Sequence, residues 1–319
     1  MKPEFSFLKY LSFSRVRITF QARETVLLPA YKGSAFRGCF GDALRREVCH
    51  YPGKPCKKCP EKFGCAFSLL YNSYVEEDHP HSRNFSKSPH PYIILPIEHE
   101  ITEFEPGQTF GFELTLIGNA TTLFPLLSGA LFTMGETGIG KNRGRFFPVS
   151  IEAFDASLGY RQMAFNSMPT LIKLNQFPLP APTSTLALEF ETPMRLKEKG
   201  NLLRVPPPFM LFTERLAQRL ALLAHFHCGA PWEDTSALFQ ETPDVRIVDN
   251  KLRWKEFPRY SGTQDTTMNF DGQTGMIVYE GELMLWLPLI SAGTWLHVGL
   301  TTTFGLGKYM LINSNNHSE

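Results

Sequence analysis

The 319 residues amount to about two domains of chain, and a content of 43% hydrophobic and 13% aromatic residues supplies a core for each, which excludes wholesale disorder. Charged residues make up 20%, 32 basic against 31 acidic, so the molecule has almost no net field to draw nucleic acid or membrane, and electrostatic affinity must come from local clusters. The longest apolar run, Leu283 to Ile290, falls short of the roughly 20 residues of a bilayer span, and the opening MKPEFSFLKYLSFSR is broken by charges; the expectation is a soluble cytoplasmic protein without a secretory signal.

Val16, Ile18, Phe20 and Ala22 alternate with polar residues, the period-two pattern of a half-buried strand. A helix is expected next, because Phe36, Cys39, Phe40, Ala43 and Leu44 recur at three and four residues, with Ser34 as its cap. Residues 31–64 form the basic region of the chain, with an excess of five positive charges. Arg37 and Arg45 fall beside the apolar stripe with Gly41 between them, a geometry that suits a phosphate backbone; the alternative is an ordinary solvated face.

Cys49, Cys56, Cys59 and Cys65 cluster as C-x6-C-x2-C-x5-C, whereas Cys39 and Cys228 stand alone. Four neighbouring thiolates are the donor set of a structural zinc site, and an iron–sulfur cluster uses the same ligands. A redox pair at Cys56 and Cys59, or four reduced and unligated thiols, are the alternatives. His50 follows the first helix inside the basic region, and Tyr31 precedes the same helix.

Residues 123–141 and 286–308 are two copies of one pattern: Pro125-Leu126-Leu127 matches Pro288-Leu289-Ile290, and Gly138-Ile139-Gly140-Lys141 matches Gly305-Leu306-Gly307-Lys308. The repeat extends upstream, where Leu186, Leu188 and Phe190 alternate as a strand and Phe212, Leu216, Leu220 and Leu223 mark a helix. Between the halves, residues 175–184 are rich in proline and small polar residues and read as a connection. Each half then runs strand, helix, extended segments, short helix, glycine loop, strand, which suits a ferredoxin-like βαββαβ domain. The expected fold is α+β, two such domains in tandem, residues 1–174 with a Cys-rich insertion at about 49–65 and residues 185–319 with a glycine-rich loop.

Gly135 to Lys141 has the spacing of a phosphate-binding P-loop, but Asn142 stands where Ser or Thr reaches magnesium, and the loop runs from helix into strand rather than the reverse. Close backbone approach to a polyanion is the better reading, with Lys141, Arg143 and Arg145 supplying charge at the first loop and Lys308 at the second. Glycines that merely turn the chain are the alternative.

The segments Arg259-Tyr260-Ser261-Gly262, Gly275 to Gly281 and His297 to Tyr309, with Gly299, Gly305, Gly307 and Lys308, resemble the CRISPR-associated precursor-RNA-processing endoribonucleases of the RAMP superfamily; Lys32 to Gly41 with the cysteine cluster is similar to the same branch. The resemblance implies RRM-like tandem domains, a glycine-rich loop on RNA, and cleavage without a metal by the substrate's own 2′-hydroxyl. It carries the catalytic histidine, tyrosine and lysine onto His50, Tyr31 and one of Lys54, Lys57 or Lys58, with Lys54 chosen. CRISPR repeat RNA is the implied partner, while other CRISPR-associated proteins and a homodimer stay open. The rival is a noncatalytic RAMP subunit that holds guide RNA.

Overall fold

The computed structural model describes residues 4–81, 83–97, 100–240, 244–261 and 266–312. They form two compact units: residues 11–173 with 226–229, and residues 4–10, 174–225 and 230–312.

In the first unit the alternating segment forms strand β1 (Ser12–Ala22), with Val16, Ile18, Phe20 and Ala22 buried. Helix α1 (Gly33–Val48) follows and buries Phe36, Phe40, Ala43 and Leu44, the stripe that the 3.6-residue period requires. Ser34 lies inside this helix; Lys32 occupies the cap position without a side-chain cap bond. A short helix α2 (Ala66–Tyr71) precedes strands β2 (Tyr92–Pro96) and β3 (Thr109–Ile117), then come helix α3 (Phe124–Thr137) and strands β4 (Phe146–Asp155) and β5 (Gly159–Gln162). The sheet order is β2-β3-β1-β4-β5 with every pairing antiparallel. Phe112 and Ile151 flank Ile18 in register. Phe20 is the centre of an aromatic core, its ring 5.0 Å from Phe146 and 5.6 Å from Phe112. Burying such a ring contributes about 1.5–3 kcal/mol.

The second unit repeats the plan with strand β6 (Thr185–Met194), helix α4 (Phe209–Cys228), strands β7 (Val245–Asn250), β8 (Arg253–Lys255) and β9 (Gly272–Gly281), helix α5 (Leu287–Leu296) and strand β10 (Tyr309–Ile312). Its order β7-β9-β6-β10, with β8 also on β9, is again the second-third-first-fourth order of a ferredoxin-like fold. Between β8 and β9, Pro258–Ser261 pairs antiparallel with Thr266–Asn269. Pro125 and Pro288 sit in the first turns of α3 and α5, where a missing amide hydrogen costs nothing.

The units depart from the expected halves at two points, one of them residues 226–229, which group with the first unit. Residues 4–10 group with the second unit rather than the first, because Phe5 and Phe7 are buried there, the Phe5 ring 5.7 Å from that of Trp286. Among the described residues no helix is long and apolar enough to cross a membrane.

Candidate nucleic-acid interface

Helix α1 carries the basic region on a support that the sequence pattern does not reveal. The rings of Tyr71 and Phe67, stacked at 5.0 Å and 6°, lie along it, and the Tyr71 hydroxyl donates to the Arg37 carbonyl at 2.9 Å. The Arg37 guanidinium lies 4.9 Å from the centre of the Tyr71 ring and that of Arg45 5.8 Å from Phe67. Both arginines are half-buried, so aromatic faces hold the two charges beside the helix rather than leaving them to swing in solvent.

His50 follows the cap residue Cys49 and is exposed, with 74% of its side chain accessible. Its Nδ1 lies 3.1 and 3.3 Å from the two Glu61 carboxylate oxygens. A carboxylate in that position fixes the tautomer that donates from Nδ1 and leaves the Nε2 lone pair outward, able to accept a proton. In the next turn the amide of Lys54 bonds the Tyr51 carbonyl at 3.0 Å and its Nζ lies 5.1 Å from the centre of the Tyr51 ring.

Tyr31 is not part of this arrangement. It precedes α1, whereas His50 follows it, and a helix of 16 residues spans about 24 Å. Tyr31 is also buried, and that burial pushes its phenol far above the usual value. The expected trio of His50, Tyr31 and Lys54 is therefore corrected: a helix length separates Tyr31 from the other two. Tyr51 is the tyrosine next to His50.

The four clustered cysteines are free and half-buried. The Cys49 amide bonds the last turn of α1, Cys56 and Cys59 flank one short turn, and Cys65 begins α2. Four thiolates are chemically apt for zinc, but among the described residues no three or more His, Cys, Asp or Glu side chains are gathered to hold a metal. Cys39 is a structural thiol: burial first, and then the charge of Asp42, push it up to about 12, and its Sγ faces the carbonyls of Met134 and Gly138.

The first glycine loop leaves α3 and enters β4. Gly138 and Gly140 adopt positive φ, and a Cβ would come 2.1 Å from the Arg143 carbonyl at the first and 2.0 Å from that of Leu27 at the second. Asn142 is spent on the same segment, donating to the Thr25 carbonyl at 2.6 Å and accepting from the Leu27 amide at 3.2 Å, so it is not placed for magnesium. Arg145 is paired with Glu24 at 2.8 Å, which removes one of the three expected cations. Lys141 and Arg143 are exposed and have no ion-pair partner among the described residues. Arg46, at the end of α1, joins them by bonding Thr137 at 3.1 Å.

At the second loop Gly299, Gly305 and Gly307 also have positive φ, and a Cβ at Gly307 would come 1.9 Å from the Val298 carbonyl. The Lys308 ammonium donates to the Thr294 carbonyl at 3.0 Å, so its charge caps the last turn of α5 instead of pointing freely from the loop. Arg219, which the sequence pattern does not single out, donates to the Leu296 and His297 carbonyls at 3.2–3.3 Å, and burial lowers its guanidinium to about 10. Of the motif at Arg259, Tyr260, Ser261 and Gly262, the first three lie on a paired strand and Gly262 lies outside the described residues.

Two ferredoxin-like units, one carrying an exposed histidine in a lysine- and arginine-rich segment, define an architecture of the kind RNA-recognition domains use. Residues 11–172 match the family model AF_1859_N, described as an N-terminal domain, and residues 188–309 match that of CRISPR-associated endoribonuclease Cas6. By that match, residues 188–309 carry the domain of the Cas6 family of CRISPR-associated endoribonucleases. No curated protein matches the chain. Among solved structures it is similar to the product complex of Cas6 (TTHB231), with 16% identity over 94% of this chain and 99% of that one and a TM-score of 0.55. Thermus thermophilus Cas6 (TTHB231) alone gives 14% identity, 95% and 99% coverage and 0.53. A partial Cas6-RT-Cas1–Cas2 complex gives 13% identity over 98% of this chain and 48% of that one, with 0.58. At these identities the likeness establishes the fold.

Proposed function

We propose that this chain cuts precursor CRISPR RNA within its repeats by attack of the substrate's own 2′-hydroxyl, without a metal, and that His50 is the general base. The observation that carries this reading is the His50–Glu61 pair, an exposed imidazole held at Nδ1 by a carboxylate in a lysine-rich segment. In the step, Nε2 takes the 2′-hydroxyl proton, the 2′-oxygen forms a bond to the adjacent phosphorus, and the bond from phosphorus to the 5′-oxygen breaks as that oxygen gains a proton. The products are a 2′,3′-cyclic phosphate and a free 5′-hydroxyl. Lys54, in the turn that follows His50, is the cation assigned to offset charge on the phosphorane, and Lys141, Arg143 and Arg46 are the cations offered to the phosphate backbone. Cleavage in the presence of EDTA, lost in His50→Ala, tests the assignment.

One observation favours a second reading. Among the described residues no tyrosine hydroxyl is bonded to His50, and Tyr31 stands a helix length away, which suits an RNA-holding subunit with no cleavage of its own. Tight binding without product would select it.

The cysteine segment carries a separate proposal. A structural zinc would have to draw Cys49, Cys56, Cys59 and Cys65 together; its support is the chemistry of four thiolates within one short segment. The complexes of Cas6 proteins with RNA product and with Cas1–Cas2 support RNA and other CRISPR proteins as partners here. Free thiols and an RNA substrate suit work in the cytoplasm.

A further inference from the structure

The insertion between α1 and β2 holds a cavity that the reading above does not use. It encloses about 470 Å³ in the first unit, within the range of small-molecule pockets, and its lining residues include the aromatic Phe63, Tyr74 and Phe85 and the basic Lys57, Lys62 and Lys87. One wall is ordered by the antiparallel bridge between Tyr74 and Lys87 and by the Val75 amide on the Ser86 carbonyl at 3.3 Å. All three aromatic side chains are half-buried. Lys62 lies 4.6 Å from the centre of the Phe63 ring and Lys87 5.3 Å from that of Tyr74. The acid of the lining, Glu77, reaches Lys62 at 3.5 Å, but its side chain is 90% exposed and the pair is weak, which leaves the cavity positive.

We infer that this cavity binds one unpaired nucleotide of the RNA substrate, its base against the aromatic rings and its phosphates on Lys62 and Lys87. The inference rests on the RNA-processing reading and adds a second point of contact to it. Aromatic faces joined to cations are the means by which single strands are held, because every base has a face to stack and every nucleotide a charge. Bases inside a duplex are already stacked on each other and cannot enter a pocket of this kind. An acidic peptide would satisfy the lysines and leave the three rings unused.

The test uses the full chain and a repeat RNA whose 2′-hydroxyl at the cut is removed, with affinity read by fluorescence anisotropy across a salt series. For Lys62→Ala/Lys87→Ala we expect affinity to fall by about fivefold or more, and the slope against log salt to become shallower by about 1–1.5, two single-strand phosphates' worth. Lys62→Arg/Lys87→Arg should bind as the wild type does, which separates charge from folding. A photoreactive thiouridine placed at each RNA position in turn should give one position that crosslinks to residues 63–87. Wild-type affinity and slope in the alanine variant would overturn the inference and leave RNA processing standing, with an acidic peptide as the next occupant to try. Failure of the wild type to bind RNA at all would overturn both.

Discussion

The Tyr71 ring lies where a side chain at position 41 would be: a Cβ on Gly41 would stand 2.5 Å from Cε1 of Tyr71. Gly41 thus admits the ring that holds Arg37, and α2 docks on α1 through that contact.

Gly41→Ala should therefore push Tyr71 off the helix. Overpacking of this kind costs about 1–3 kcal/mol, against ~1 kcal/mol gained from replacing glycine in a helix. A net loss of up to about 2 kcal/mol in urea denaturation is expected. A raised midpoint would contradict the packing described.

The His50–Glu61 pair makes a kinetic prediction. Glu61→Gln keeps a hydrogen-bonding group beside Nδ1 but removes the carboxylate that selects the tautomer. Single-turnover cleavage should slow by about tenfold or more with RNA affinity little changed. Equal rates for Glu61→Gln and wild type would show that the pair is a surface contact only.

A pH dependence of stability follows from the face of β1 opposite its core residues, where Arg15 and Arg17 meet Glu113. Burial by itself would push the Glu113 carboxyl up, but the charge of Arg15 and the hydrogen bonds from Tyr160 at 2.5 Å and Arg17 at 2.9 Å outweigh it and hold the group below its usual value. A carboxyl lowered on folding contributes stability that is complete above its unfolded value, 4.5, and is lost as pH falls through the lower folded value. Glu113→Gln should cost about 2–3 kcal/mol at neutral pH, the lower end for a partly solvated ion pair, and the difference from wild type should shrink in acid. A difference that stays constant with pH would contradict the account.

The core was legible in the sequence because it is periodic. Val16 to Ala22 and Phe36 to Leu44 announce a strand and a helix face, and the matched segments at Pro125 and Pro288 announce a duplicated fold. Contacts distant in sequence were not legible. Phe5 meets Trp286 across nearly the whole chain, which moves residues 4–10 to the second unit. Tyr71 on Gly41 and Glu61 on His50 are side-chain meetings made by the insertion, whose turns have no period to read. Charge was legible and its direction was not: Arg145 is tied to Glu24 and Lys308 to a helix carbonyl, while Arg46 and Arg219 joined the two loops unannounced.

The two glycine loops should accordingly differ. Arg143→Ala should weaken RNA binding and flatten its salt dependence, because that charge has no protein partner among the described residues. Lys308→Ala should act mainly on stability, by releasing the last turn of α5. Identical effects of the two on the salt slope would return Lys308 to the RNA.

Zinc is tested by elemental analysis of protein purified without added metal. About one zinc per chain, lost with Cys56→Ser/Cys59→Ser, is the expected result. Absence of both zinc and iron would leave four reduced thiols.

The central claim is 2′-hydroxyl attack with His50 as the base, and its most direct measurement is incubation of the purified chain with EDTA and labelled repeat RNAs that carry a 2′-deoxy residue at each position in turn. The account predicts one cut, abolished by deoxy substitution at a single position and absent in His50→Ala with RNA binding retained. Cleavage that persists in His50→Ala, or binding to all of these RNAs with no cut in any, would contradict it.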